Sequence, residues 1–337
     1  MYVLELAGQD DAFAAREAAS AASDVSLLAP GLATARGITD RVRQLAFTHR
    51  ASELVGTCEP TVDSAVATLE AAGIDRTGSV AVRAVDVRST TEIDTQRAER
   101  ELGAVLVDRG FAVDLDDPDH ELRVLFAAGE QDATDASEVS DPDEGTCALG
   151  WLAATSIRDY GERTPMDRPF AQPGSMDPME ARALVNIAGA REGRLLVDPM
   201  CGTGGVLIEG GLVGADVLGT DAQWKMVRGA RENLDAFLDP AHESALARAD
   251  ATHLPVRDGA ADAVVFDAPY GRQSKIEGEL DAVVAGALTE AQRIAPRAVV
   301  VADRSWADAA EGAGWTVESR FERRVHRSLV RHIHVLE

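Results

Sequence analysis

Lysine is almost missing from this 337-residue chain: Lys225 and Lys275 are the only two, so arginine carries nearly all the positive charge. Against 33 lysines and arginines stand 57 acids, a formal net charge of −24. Acidic excess with lysine depletion reads as adaptation to a salt-saturated cytoplasm, where the screening length shrinks to about 3 Å; an ordinary acidic protein is the alternative. The charge argues against a nucleic-acid partner at ordinary ionic strength. In molar salt net charge no longer governs approach at long range, so RNA is not excluded. Cysteine is scarce too. Cys58, Cys147 and Cys201 are far apart, which suggests neither a disulfide framework nor a zinc site. No apolar run approaches the roughly 18 residues of a membrane span, and residues 1–20 hold acids where a signal peptide has an apolar core. A soluble, cytoplasmic protein with no metal and no membrane partner is expected, with a monomer as the default state. Hydrophobic content of 45% allows a sizeable core, and the length allows two domains and a small third.

One stretch organises the chain. Leu195, Leu196 and Val197 read as a strand buried on both faces; Asp198 ends it, and Pro199 cannot donate to a sheet ladder. Gly202, Gly204 and Gly205 then allow a tight turn and close approach of a ligand. Val206 to Ile208 open a helix whose free amides face that turn. A phosphate loop would need Gly-Lys-Ser/Thr at its end, and no lysine is present. A dinucleotide fingerprint starting at Gly202 would need glycine where Leu207 stands. What remains, DPMCGTGG over residues 198–205, resembles motif I of the class I S-adenosylmethionine-dependent methyltransferases; by itself a structural strand-to-helix turn fits as well.

Residues 1–57 read as a small α+β unit: a strand at YVLEL, a helix from Asp11 to Ala22, a strand over residues 25–35 and a third near Val42 to Phe47. Its Arg41, Arg43, His49 and Arg50 fit an RNA-facing edge or solvated ends equally. From 58 to 157 come a helix after Thr61, a strand at Ser79, a helix through Ile93, Ala98, Leu102 and Val105, and strands near Phe111 and after Asp116. Residues 129–145 are acidic and poor in large apolar side chains, a mobile loop on composition, and Thr146 opens a strand that rejoins the sheet. The run RAERELGAVLVDRGFAVDLDDPDHELRV (97–124) resembles the THUMP domain, an RNA-binding module of tRNA-modifying enzymes. A proline-rich connector, 158–177, leads to a helix with Asp177 as N-cap and Pro178 in its first turn. Arg168-Pro-Phe170 before that helix resembles the methyltransferase motif that covers the cofactor's methionine end.

From Leu195 strands and helices alternate as in a doubly wound sheet, and the end reads as an antiparallel hairpin whose Arg320, Arg323, Arg324, Arg327 and Arg331 fit a local RNA-contacting cluster or partners of acids such as Glu318 and Glu322 equally. Ligands of such sheets sit beyond the carboxyl ends of the strands. Asp198, Asp221 and Asp250 each fall at such an end. Asp221 can accept hydrogen bonds from a ribose diol, and Asp250 and the Ala251 amide can meet an adenine edge. The second motif is FDAPYG, residues 266–271. Asp267-Ala268-Pro269-Tyr270 resembles motif IV of methyltransferases acting on exocyclic amines of bases, with alanine where the family has its first proline. There Asp267 and the Ala268 carbonyl accept the two N–H groups of an amine, and Tyr270 stacks on the extruded base.

The whole layout is similar to the archaeal tRNA guanine-10 N2-methyltransferases, with a haloarchaeal source implied by the composition. The resemblance implies a seven-stranded class I methyltransferase domain over 178–337, preceded by an α+β THUMP-like region. It also implies tRNA as partner and S-adenosylmethionine as methyl donor. Catalytic residues would be Asp267, Ala268, Pro269 and Tyr270. Cofactor-binding residues would be Phe170, Asp198, Pro199, Gly202, Gly204, Asp221, Ala222, Asp250 and Ala251. The competing readings are an N2-guanine methyltransferase acting elsewhere in tRNA or rRNA, an N6-adenine methyltransferase, and an RNA-binding protein with a relic cofactor fold.

Overall fold

The computed structural model describes residues 1–129, 145–269, 277–326 and 329–337, without the side chains of 277–279 and 326. Nearly all of the acidic segment 129–145, together with Tyr270 and Arg327, lies outside the described residues. The chain forms two compact units, Met1–Ile157 and Arg158–Glu337.

The first unit opens with β1 (Tyr2–Leu6), α1 (Asp11–Ala18), β2 (Ala22–Ser23), β3 (Ser26–Ala29), β4 (Leu32–Ala35), β5 (Gly37–Ile38) and β6 (Thr48–Cys58). It continues through α2 (Val62–Ala71), β7 (Ser79–Asp86), α3 (Thr95–Asp108), β8 (Ala112–Val113), β9 (His120–Ala127) and β10 (Thr146–Thr155). Eight strands make one sheet in the order β3-β4-β1-β6-β10-β9-β7-β8. β6 pairs β1 on one side and β10 on the other, so one sheet carries strands from both 1–57 and 58–157. The strand at Thr146 rejoins the sheet between β6 and β9, as its sequence suggests. α2 and α3 bury Val62, Ala65, Leu69, Ala98, Leu102 and Leu106 in a common core with Val80, Leu122 and Trp151. Their spacing of three and four residues puts these side chains on one face of each helix.

Three local expectations fail here for identifiable reasons. The strand expected over 25–35 is a hairpin, because Pro30 cannot donate to the ladder and Gly31 turns the chain at φ +83°. The helix from Asp11 stops at Ala18 rather than Ala22, since the chain turns to form β2. The third strand expected near Val42–Phe47 is a 3-10 turn over Asp40–Gln44, followed by amides that do not join a ladder. The amides of Ala46 and Phe47 instead donate to the buried carboxylate of Glu17, each at 2.7 Å. A buried carboxylate with two such donors is satisfied locally, and the sheet starts at Thr48.

The second unit comprises α4 (Pro178–Ala188), β11 (Leu195–Asp198), α5 (Gly205–Leu212), β12 (Asp216–Asp221), α6 (Trp224–Phe237), β13 (Ser244–Arg248) and β14 (Ala263–Asp267). α7 (Glu277–Ile294), β15 (Ala298–Ala302), α8 (Ala307–Gly312), β16 (Val317–His326) and β17 (Leu329–Leu336) complete it. Asp177 caps α4 by accepting from the Met179 amide at 2.9 Å, with Pro178 in the first turn. The seven strands run β13-β12-β11-β14-β15-β17-β16. The first five are mutually parallel, β17 lies antiparallel to β15, and β16 and β17 form the terminal hairpin. This is the doubly wound α/β sheet of a class I methyltransferase. Its order reverses between β11 and β14, and there the carboxyl ends open a crevice. β14 and β15 are buried throughout apart from the half-buried Asp267, which explains why both read as unbroken apolar runs.

Candidate active site

Asp198 ends β11 next to the switch point and is 2% exposed. Its Oδ1 accepts the Met200 amide at 3.0 Å. Burial, with the Asp221 and Asp267 carboxylates nearby, pushes its carboxyl well above the usual carboxylate range. The glycine turn that follows is closed from the next strand. Asp221 accepts the Gly202 amide on Oδ2 at 3.2 Å and the Gln223 amide on Oδ1 at 2.8 Å, and Thr220 donates to the Pro199 carbonyl at 3.1 Å. Gly204 is obligatory: its φ is +80°, and a Cβ there would stand 2.9 Å from Leu234 Cδ1. Burial, then the charges of Asp198 and Asp221, raises the Cys201 thiol, so this cysteine is inert beside the loop.

Asp267 leaves β14 in register with Val301 of β15 and is half-buried. The Ala268 amide donates to the Val301 carbonyl at 2.8 Å, which fixes the direction in which the chain leaves the sheet, and Pro269 follows in the open. Asp198, Asp221 and Asp267 thus converge at the carboxyl ends of three strands, close enough for the latter two to bear on the ionisation of the first. Asp250 stands just past β13 and is exposed. Its Oδ1 accepts the amide and hydroxyl of Thr252 at 2.9 and 2.8 Å, bonds that hold its carboxyl below the usual range. It therefore caps its own turn, at the rim of a cavity of about 480 Å³ that Thr252, His253, Gly286 and Glu290 also line. Ala222 is exposed, and its carbonyl accepts from Arg248 Nε at 2.8 Å; Ala251 is buried.

The connector 158–177 is fastened to this unit. Glu209 of α5 is fully buried and binds Arg163, with Nε–Oε1 at 2.6 Å, and Arg182, with Nη2–Oε2 at 2.8 Å. Both guanidinium groups lie over the Tyr160 ring, 5.2 and 5.8 Å from its centroid. Asn233 of α6, also fully buried, makes the second clamp: it accepts the Phe170 amide at 2.8 Å and donates to the carbonyls of Phe170 and Thr203 at 2.9 and 2.8 Å. One amide side chain so ties the connector to the glycine loop, and Ser175 Oγ reinforces it 3.1 Å from Thr203 Oγ1. The Phe170 ring lies directly on Gly229, where a Cβ would come within 2.0 Å of it. Sequence reasoning missed Asn233; its one signal is a polar residue between Ala230 and Leu234 on the buried stripe of α6. Arg331 of β17 reads in the sequence only as one of a basic cluster, and its place beside Glu180 and Asp267 has no signal there.

The chain is similar to known proteins over most of its length. Residues 165–333 match the family described as RMKL-like, methyltransferase domain. The tRNA (guanine(10)-N2)-dimethyltransferase of Methanothermobacter thermautotrophicus is 33% identical over 309 residues, 88% of this chain and 84% of that protein. The protein of the same name from Methanocaldococcus jannaschii is 30% identical over 286 residues, 80% and 74% of the two chains. Among solved structures, a possible methylase from Clostridium difficile 630 shares the fold at TM-score 0.50 and 12% identity, covering 99% of this chain and 97% of that one. The chain belongs to the family of the tRNA (guanine(10)-N2)-dimethyltransferases.

Proposed function

We propose that this protein transfers methyl groups from S-adenosylmethionine to the exocyclic N2 amine of guanosine in tRNA, at guanosine 10, giving N2-methyl- and then N2,N2-dimethylguanosine. The convergence of Asp198, Asp221 and Asp267 around one glycine turn carries the reading. The residues fit the methyl donor. A cleft in which burial, and after it the neighbouring Asp221 and Asp267 carboxylates, push the Asp198 carboxyl upward favours a cationic ligand, and a sulfonium is one. The glycine turn 198–205 contains no lysine or arginine of its own for a phosphate, which the donor lacks, and the nearby guanidinium of Arg168 belongs to the connector packed against Gly205. Asp221, with each oxygen already oriented by an amide, keeps lone pairs for a ribose diol. Phe170, Pro199, Gly202, Gly204, Ala222, Asp250 and Ala251 are proposed to complete the donor site.

When bound, S-adenosylmethionine supplies an electrophilic methyl carbon on a sulfonium leaving group. The protein's part is orientation. The guanine amine is a poor nucleophile because its lone pair is delocalised into the ring. Asp267 and the Ala268 carbonyl accept its two N–H groups and turn that lone pair towards the methyl carbon. An amine that accepted the methyl group would lose one N–H proton, which Asp267 or water would take up. Tyr270 is proposed to stack on the extruded base.

The N-terminal unit, with its THUMP-like residues 58–157 behind 1–57, is proposed to hold the tRNA, in the cytoplasm of a halophilic archaeon. Among the described residues no helix is long and apolar enough to cross a membrane, and no cluster suited to a metal ion occurs. Two unmodified tRNA transcripts that differ only in guanosine or adenosine at position 10 test the assignment. Methylation of the first alone is expected, and equal methylation of both moves the target elsewhere. The halophilic reading predicts that thermal unfolding shifts upward between 0.2 and 2 M potassium chloride as carboxylate repulsion is screened. A falling midpoint over that range contradicts it.

A further inference from the structure

Asp267 has a buried cation behind it. Arg331 lies on β17, one residue before the last rung shared with β15, opposite Arg323 of β16, and its side chain is 5% exposed. Its Nη1 is paired with the Glu180 carboxylate on α4, and its Nη2 stands 3.8 Å from Asp267 Oδ2. Arg323 Nε lies 3.8 Å from the other oxygen of Glu180. The four groups form an alternating series, Arg323–Glu180–Arg331–Asp267, running from the terminal hairpin to the end of the motif IV strand. We infer that Arg331, braced by Glu180, is the positioning residue that keeps Asp267 ionised and aimed at the target amine.

The need for it follows from charge. Asp198 at the end of β11 and Asp221 at the end of β12 share the crevice with Asp267, and Asp303 follows β15. Asp198, the most buried of them, has its carboxyl pushed up first by burial and then by Asp221 and Asp267. A protonated Asp267 would keep only its carbonyl oxygen, a weaker acceptor than a carboxylate, so an ionised form is the better partner for the amine. A guanidinium at ion-pair distance on the side away from Asp198 and Asp221 supplies the balance. Its fork also binds Glu180, which leaves it little freedom to turn. A merely structural ion pair would be complete with Arg331 and Glu180 alone; the second fork nitrogen reaches the functional carboxylate instead.

The inference rests on Asp267 being the amine acceptor, and the test separates the two. Arg331→Met, Arg331→Lys and the charge-balanced pair Arg331→Met with Glu180→Gln are compared with Asp267→Asn in kcat against pH, KM and S-adenosylmethionine binding by calorimetry. Arg331→Met should raise the acid limb of the kcat profile by about 1–2 pH units, so kcat falls ten- to a hundredfold on that limb and recovers at high pH. Cofactor affinity should stay within a few-fold, and Arg331→Lys should restore much of the loss. The balanced pair should show the same shifted limb, which keeps the test decisive if Arg331→Met does not fold. An unmoved acid limb in these variants, with Asp267→Asn inactive, overturns the role of Arg331. A fully active Asp267→Asn, whose amide oxygen still accepts, overturns the need for an ionised Asp267 and with it the role of Arg331, whereas a fully active Asp267→Ala overturns the reading of Asp267 itself.

Discussion

Replacing Asp267 with alanine is expected to cut methyl transfer by about 10²–10³-fold or more while leaving S-adenosylmethionine affinity within a few-fold. The carboxylate ends β14 at the crevice, half-buried, with its backbone fixed by the Val301 register and the Ala268 amide bond. Alanine keeps that backbone and removes only the acceptor. Without it the amine lone pair stays in conjugation, and the loss appears in kcat because the interaction strengthens as the nitrogen attacks. Asp198→Ala should behave oppositely and lose cofactor first, since its neighbours are the glycine turn and Asp221. Calorimetric titration of both variants with the donor, beside single-turnover rates on tRNA, separates the two. Parallel loss of cofactor affinity in Asp267→Ala would move this residue into the donor site.

Glu209→Ala should be the most destabilising single change in the second unit, costing about 3–5 kcal/mol. It removes the acid that lies between two guanidinium groups, both about 95% buried. Arg163 keeps Asp159, 2.9 Å from its Nη1, and Arg182 loses the fully buried carboxylate 2.8 Å from its Nη2. Removing one partner of a buried ion pair costs far more than the pair contributes. For a unit of this size, about 2–4 °C per kcal/mol puts the midpoint roughly 10 °C lower. The connector should also loosen, because Arg163 anchors the segment that carries Phe170, and donor affinity should fall with it. A triple change, Glu209→Met with Arg163→Met and Arg182→Leu, should recover much of the stability, as no uncompensated charge remains. Denaturant unfolding of the three proteins checks this. A Glu209→Ala cost under about 1 kcal/mol would mean that water already solvates the cluster.

The parallel sheet was legible because β11, β14 and β15 are buried on both faces and leave uninterrupted apolar runs, each with an acid at or just past its carboxyl end. Asp198, Asp221 and Asp267 stand where that pattern puts them, and the hairpin of β16 and β17 is where its alternation indicates. The N-terminal unit was less legible at its joints. Val42 to Phe47 are apolar enough for a strand, and only the carboxylate of Glu17, some 30 residues earlier in the chain, decides that their amides leave the ladder. The short α8 has too few residues to show a period. Charge was least legible of all. Arg320, Arg323, Arg324, Arg327 and Arg331 read from sequence as a patch for RNA or as partners of Glu318 and Glu322. In the fold Arg320 and Arg324 are exposed, whereas Arg331 and Arg323 turn to Glu180, about 150 residues away. Strand register settles which arginine faces inward, and a register is a property of the sheet. Glu209 and Arg163 are likewise separated by 46 positions, and no local pattern joins them.

The most direct measurement is nucleoside analysis of total tRNA, initially free of methylated guanosine, after incubation with the wild-type protein and methyl-labelled S-adenosylmethionine in molar potassium chloride. Label in N2-methylguanosine, passing with time into N2,N2-dimethylguanosine, is the predicted result. Label in N6-methyladenosine with none in guanosine, or no label in any nucleoside, would contradict it.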